Sequence, residues 1–220
     1  MKWKDVPMPP RIAALPRDKR GFPVPWISDW ETETEVVDER GMAWHIEQGH
    51  PEWGDYVEYC THEDGVGEPN LGALCAPRQL HGMLNRLCDV CGVKVGKTAF
   101  FMGAKDLHTQ GYRELPLHLE CALYAGQVCP GLVTKARGEI WVSVTEDYTC
   151  NMVRKYENGD REFVGMHDPT WRLLDAMGVR SVMIGVTAVP VQGPKTRHLT
   201  LDEFLNEHGL KHPYRQEITA

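Results

Sequence analysis

The sequence predicts an α+β fold of short strands and three to four helices. Three observations carry that reading. Apolar residues recur at helical spacing through Leu80, Met83, Leu84 and Leu87, and they alternate as in a strand from Glu139 to Glu146. Fifteen prolines and 21 glycines break the chain into many turns, which argues against long elements. Two Cys/His pairs, Cys88/Cys91 and His118/Cys121, sit 26 residues apart around the first of these helices and the start of another.

The helix that begins near Pro77 places its proline in the first turn, where the missing N–H would have no partner anyway. After Gly92, the stretch Lys94-Val-Gly-Lys-Thr-Ala-Phe-Phe-Met-Gly mixes β-branched and aromatic residues and predicts a hairpin. Its Gly-Lys-Thr is not a phosphate loop, because Cys91 stands where that motif needs a glycine. Pro116 opens a helix from Leu117 to about Val128, closed by Cys129-Pro130-Gly131. Arg154 to Phe163 reads as a hairpin turning at Asn158-Gly159. Asp168-Pro169 starts a helix stopping near Gly178, and Val179 to Val191 is a strand. Thr200-Leu-Asp-Glu203 is a capping box for a last helix that runs to Gly209 with Leu201, Phe204 and Leu205 inward.

Ahead of this, residues 1–27 carry prolines at 7, 9, 10, 16, 23 and 25 among six basic residues. That spacing predicts an extended, helix-free arm, with Trp26 and Ile27 pinning it to the core. From Ser28 to Glu68 there are thirteen acidic residues and one basic, Arg40, a local charge of −12; the rest of the chain is +5. A run of that sign is ordinarily a solvated insertion, and it also suits docking on a basic face. The expected organisation is therefore a basic arm (1–27), an acidic insertion (28–76), a metal module (77–135) and an α/β part (136–220), packed as one unit.

Cys88-Asp-Val-Cys91-Gly92 has knuckle form: two intervening residues let both sulfurs reach one tetrahedral ion at roughly 2.3 Å. His118 and Cys121, three apart, share one face of a helix start. Knuckle, hairpin, then helix with the last two ligands in its first turn is the treble-clef arrangement. Three thiolates and one imidazole fill four positions, so the ion is expected to be a structural Zn²⁺ held by Cys88, Cys91, His118 and Cys121. A weaker second grouping is Cys60, His62 and Cys75, with His81. Cys129 and Cys150 read as core residues.

The blocks Pro9 to Trp26, Arg86-Leu-Cys-Asp-Val-Cys-Gly92 and Pro116-Leu-His-Leu-Glu-Cys-Ala-Leu-Tyr-Ala-Gly-Gln-Val-Cys-Pro130 resemble a zinc-binding protein family of actinobacteria and their phages. The likeness covers roughly 9–27 and 80–205. It implies a cytoplasmic bacterial or phage protein, agrees with the four ligands, and adds Cys129 as a recurrent position. The acidic segment 28–76 departs from the pattern.

For function, a filled zinc site, a basic arm and segregated charge point to a binding or adaptor protein, phage-encoded and host-directed, contacting a protein or nucleic acid. The alternative is an enzyme acting on nucleic acid or nucleotides, such as a ββα-metal nuclease, with Asp106, His108, His167 and Asp168 as its candidates. No Ser-His-Asp order, phosphate loop or paired carboxylates stands out, so no catalytic or cofactor-binding residue is assigned. No run of about 18 apolar residues predicts a membrane span, and the start lacks an export signal, which leads to a cytoplasmic expectation.

Overall fold

The computed structural model describes residues 3–30, 63–104, 111–132, 140–156, 161–165 and 181–210, with backbone alone for 76–77, 152–156, 161–165 and 181–186. Among them the fold is α+β, with four α-helices and small antiparallel sheets.

The arm is not wholly extended. It forms a 3-10 turn at Trp3–Asp5 and one helical turn, α1, at Pro10–Ala13. Proline spacing did not forbid this turn, because Pro9 takes the N-cap and Pro10 the first helical position, where no N–H is missed. Ile12, Val24 and Ile27 are buried in the core. Strand β1 (Ser28–Trp30) then pairs with β2 (Pro69–Leu74), so the two ends of the acidic segment meet in a ribbon. Residues 31–62 between them, including Cys60 and His62, lie outside the described residues.

Helix α2 spans Ala76–Asn85 and buries Met83. It ends on Arg86, whose φ of 57° is left-handed. That conformation normally suits glycine, and here it reverses the chain straight into the knuckle.

Strand β3 (Ala99–Gly103) does not pair with a neighbour in sequence. Its register partner is β4 (Trp141–Thr145), and β4 pairs in turn with β8 (Arg197–Thr200). Among the described residues the expected local hairpin shows no ladder of its own, only the isolated bridge of Phe100 with Leu117 as the chain returns toward α3 (Leu119–Val128). β3 is buried along its length, so a two-sided core strand took the long-range partner. A third sheet has the order β6-β5-β7, from β5 (Tyr148–Tyr156), β6 (Arg161–Gly165) and β7 (Ser181–Pro190). The expected turn at Asn158-Gly159 and helix after Asp168 lie outside the described residues.

Helix α4 (Leu201–Glu207) carries the capping box as expected: Thr200 Oγ1 accepts from the Glu203 N–H at 3.2 Å, and Glu203 Oε2 accepts from the Thr200 N–H at 2.8 Å. It ends at Glu207, two residues short of Gly209. The core joins α3, α4 and β3 to the arm through Phe100, Phe101, Tyr112, Leu115, Phe204 and Leu205. From it a polar chain runs out to the surface: Tyr112 Oη to Ser143 Oγ at 2.6 Å, Ser143 Oγ to half-buried His198 Nδ1 at 2.6 Å, and His198 Nε2 to exposed Gln192 Oε1 at 3.1 Å. The pairing meets the cost of burying the Tyr112 and Ser143 hydroxyls.

Candidate metal centre

The knuckle is built by backbone bonds before any metal is considered. The Cys88 N–H donates to Val93 O at 2.9 Å, and the Gly92 N–H returns to Cys88 O at 2.8 Å. Gly92 holds φ at 68°, and a Cβ there would stand 2.7 Å from Trp26 Cγ. Glycine is thus required twice, by the left-handed turn and by the indole lying against it.

Asp89, between the two cysteines, ties the knuckle to the second ligand pair. Its N–H donates to Pro116 O at 3.0 Å and its Oδ1 accepts from the Leu115 N–H at 3.1 Å. Burial pushes the Asp89 carboxyl up to about 7; the Leu115 N–H opposes this and the nearby Glu114 adds to it. Pro116 and Leu117 then deliver His118 to the N-cap of α3 and Cys121 to its first turn.

The four side chains converge. One donor atom from each of Cys88, Cys91, His118 and Cys121 lies within 4.8 Å of every other. Cys91 Sγ is 3.4 Å from His118 Nδ1, and Cys121 Sγ is 4.0 Å from it. A zinc tetrahedron with ordinary bond lengths has sulfur–nitrogen edges of about 3.6 Å, so the donor set fits that ion. Cys88 and Cys121 are fully buried. Cys91 is the thiol held well below its usual range, because Cys121 and Cys88 direct their S–H groups to it and His118 adds favourable charge. Cys121 is pushed up by Cys88 and Cys91. Such a thiolate-centred cluster is ready to exchange protons for a cation.

The histidine's outer nitrogen has a partner for either tautomer. Nε2 lies 3.1 Å from Lys94 O and 2.9 Å from Arg11 Nη1. A neutral ring that gave its Nδ1 lone pair to a metal would carry its proton on Nε2 and donate it to the Lys94 carbonyl. In the other tautomer Nε2 accepts from Arg11, whose guanidinium is also paired with Glu120, Oε1 lying 3.0 Å from Arg11 Nε.

The other candidate residues separate from this centre. Cys75 is buried in the core and His81 is exposed on α2 beside Asn85. Cys129 caps the end of α3, its thiol pushed up by burial, and Cys150 lies against Met83 O. Neither joins the four-donor cluster. Asp106, His108, His167 and Asp168 lie outside the described residues. A separate hollow of about 490 Å³ is lined in part by Lys97, Glu146 and Lys195, both lysines reaching Glu146 Oε2. Sequence reasoning missed Asp89, Arg11 and the Lys94 carbonyl. Asp89's place between the cysteines was visible, but its partners twenty-six and more residues on were not.

The chain matches no family model, no curated protein and no solved structure. No described helix is long and apolar enough to cross a membrane.

Proposed function

We propose that this chain is a zinc-stabilised binding protein, an adaptor that presents surfaces to a protein or nucleic-acid partner and performs no reaction at its metal. The observation that carries the reading is the convergence of Cys88, Cys91, His118 and Cys121 at a knuckle and a helix start. Four protein donors complete a tetrahedral shell, so a zinc ion there has no open position for water or substrate. The ion would supply folding energy and cross-link the knuckle to α3. The bridge between Phe100 and Leu117, leading directly into that helix, supports a treble-clef-like module.

The resemblance of the arm, knuckle and α3 blocks to proteins of actinobacteria and their phages adds a bacterial or phage setting to this proposal, with a host component as the partner. Charge segregation along the sequence, −12 from Ser28 to Glu68 against +5 elsewhere, supports binding through complementary surfaces.

The test is affinity capture of the zinc-loaded full chain from bacterial lysate, with and without nuclease. The expected result is one stoichiometric protein that survives nuclease treatment. Recovery of nucleic acid alone would move the reading to a nucleic-acid adaptor, and turnover of a nucleotide or nucleic acid by the purified chain would contradict it.

A further inference from the structure

Resting on the zinc reading above, we propose that the N-terminal arm is a metal-linked clasp: residues 24–28 close on the knuckle, so that arm docking and zinc occupancy stabilise one another. The arm's contacts there fall on the loop that the cysteines would close. The Trp26 N–H donates to Val90 O at 2.8 Å and the Ile27 N–H to Asp89 O at 3.2 Å. The Trp26 indole lies on Gly92, in the space a Cβ would fill. Val90, Asp89 and Gly92 all sit within or directly beside the Cys88–Cys91 pair.

A second group also holds Trp26. Arg78 donates from Nη1 to Trp26 O, places its guanidinium over the indole 5.1 Å from the centroid, and is paired with Asp64 at 2.9 Å. The indole thus touches both α2 and the knuckle. Higher up the arm, Arg11 reaches Glu120 in the first turn of α3, beside the second ligand pair. The arm therefore touches both halves of the centre and spans them from outside.

The physical consequence is a linkage. A metal on the four donors would fix the ends of the two-residue loop that presents Val90 O and Asp89 O, adding to the backbone bonds that already shape it. Metal loss relaxes those ends and so loosens the acceptors of Trp26 and Ile27 and the seat of the indole. By reciprocity, an arm that is not docked lowers metal affinity by the same factor. Release would uncover the knuckle face and free Arg11 from Glu120 and Lys19 from Glu68 for another contact.

Zinc affinity of the full chain, read by competition with a chromophoric chelator, and backbone hydrogen exchange together test the clasp. Trp26→Ala is expected to weaken zinc binding on the order of tenfold, in the range typical of groups that support metal ligands. Leu205→Ala, a buried change beside Gly126 near the far end of α3, is expected to leave affinity within about twofold, as uncoupled sites do. In the unsubstituted chain, chelation is expected to raise exchange in residues 12–28 while β4 stays protected. Equal affinity in Trp26→Ala, equal weakening in Leu205→Ala, or arm exchange unchanged by chelation would each overturn the clasp. If Trp26→Ala does not fold, the exchange comparison on the unsubstituted chain decides alone. A chain that binds no zinc at all would instead remove the zinc reading itself.

Discussion

Asp89 Oδ1 accepts the Leu115 N–H at 3.1 Å, and with the Asp89 N–H bond to Pro116 O this contact ties together the two halves of the candidate metal centre. The knuckle contributes the carboxylate, and the segment entering α3 contributes the amide. Asp89→Ala leaves that buried N–H without an acceptor and is expected to cost about 1–3 kcal/mol of stability. Asp89→Asn retains an acceptor oxygen and should cost clearly less. Denaturant unfolding of both variants, zinc-loaded, checks the order. Equal losses would mean that charge, not the hydrogen bond, matters at this position.

Gly92→Ala combines a left-handed backbone with the indole of Trp26 at 2.7 Å. A Cβ in that conformation costs about 1–2 kcal/mol by itself, and crowding of the indole adds about 1–3 kcal/mol. Thermal unfolding should show a lower midpoint for this variant than for Gly96→Ala, where nothing stands within 4 Å.

Asp18 gives the N-terminal arm an acid-sensitive point outside the four-donor cluster. Its side chain is 6% exposed. It accepts the N–H groups of Arg20 at 2.9 Å and Phe22 at 2.8 Å, and pairs with the Arg20 guanidinium at 2.8 Å. Burial alone would raise its pKa, but those bonds and the Arg20 charge outweigh it and hold the carboxyl below its usual value. A depressed carboxylate stabilises the fold above its unfolded pKa, near 3.8, and loses that contribution as pH falls through the still lower folded value. Asp18→Ala should therefore lower stability at pH 7, by about 0.5–1.5 kcal/mol from the lost hydrogen bonds. The deficit should shrink toward pH 3. A deficit that does not change with pH would contradict this assignment.

Thr200→Ala removes the acceptor of the Glu203 N–H at the start of α4. Loss of such a cap costs about 1 kcal/mol. Chemical denaturation of the variant measures it, with Thr200→Ser expected to restore most of the loss.

Much of the metal centre was legible in the sequence because its ligands come in two local pairs. A two-residue spacing fixes where Cys88 and Cys91 can point, and a helix start fixes His118 against Cys121. The capping box was legible for the same reason, since its partners are three residues apart. What could not be read were pairings settled by distant packing. Phe100 and Phe101 looked like one arm of a hairpin, yet β3 found its partner forty residues later in β4, where both of its faces could be covered. Strand β8 is only four residues, Arg197-His-Leu-Thr, and has no alternation to announce it. Arg86 carries the left-handed turn without the glycine that usually marks one. Pro9 and Pro10 misled in the other direction, since prolines that break a helix interior also begin a helix well.

The central claim is that Cys88, Cys91, His118 and Cys121 hold one zinc ion in a closed shell. The most direct measurement is the visible spectrum and stoichiometry of the Co²⁺-substituted full chain, with zinc displacement as the end point. One equivalent of metal, an intense tetrahedral d–d absorption with strong sulfur charge-transfer bands, and their loss in Cys88→Ser/Cys91→Ser are the expected results. A weak six-coordinate spectrum, or the same spectrum after both cysteines are replaced, would contradict the account.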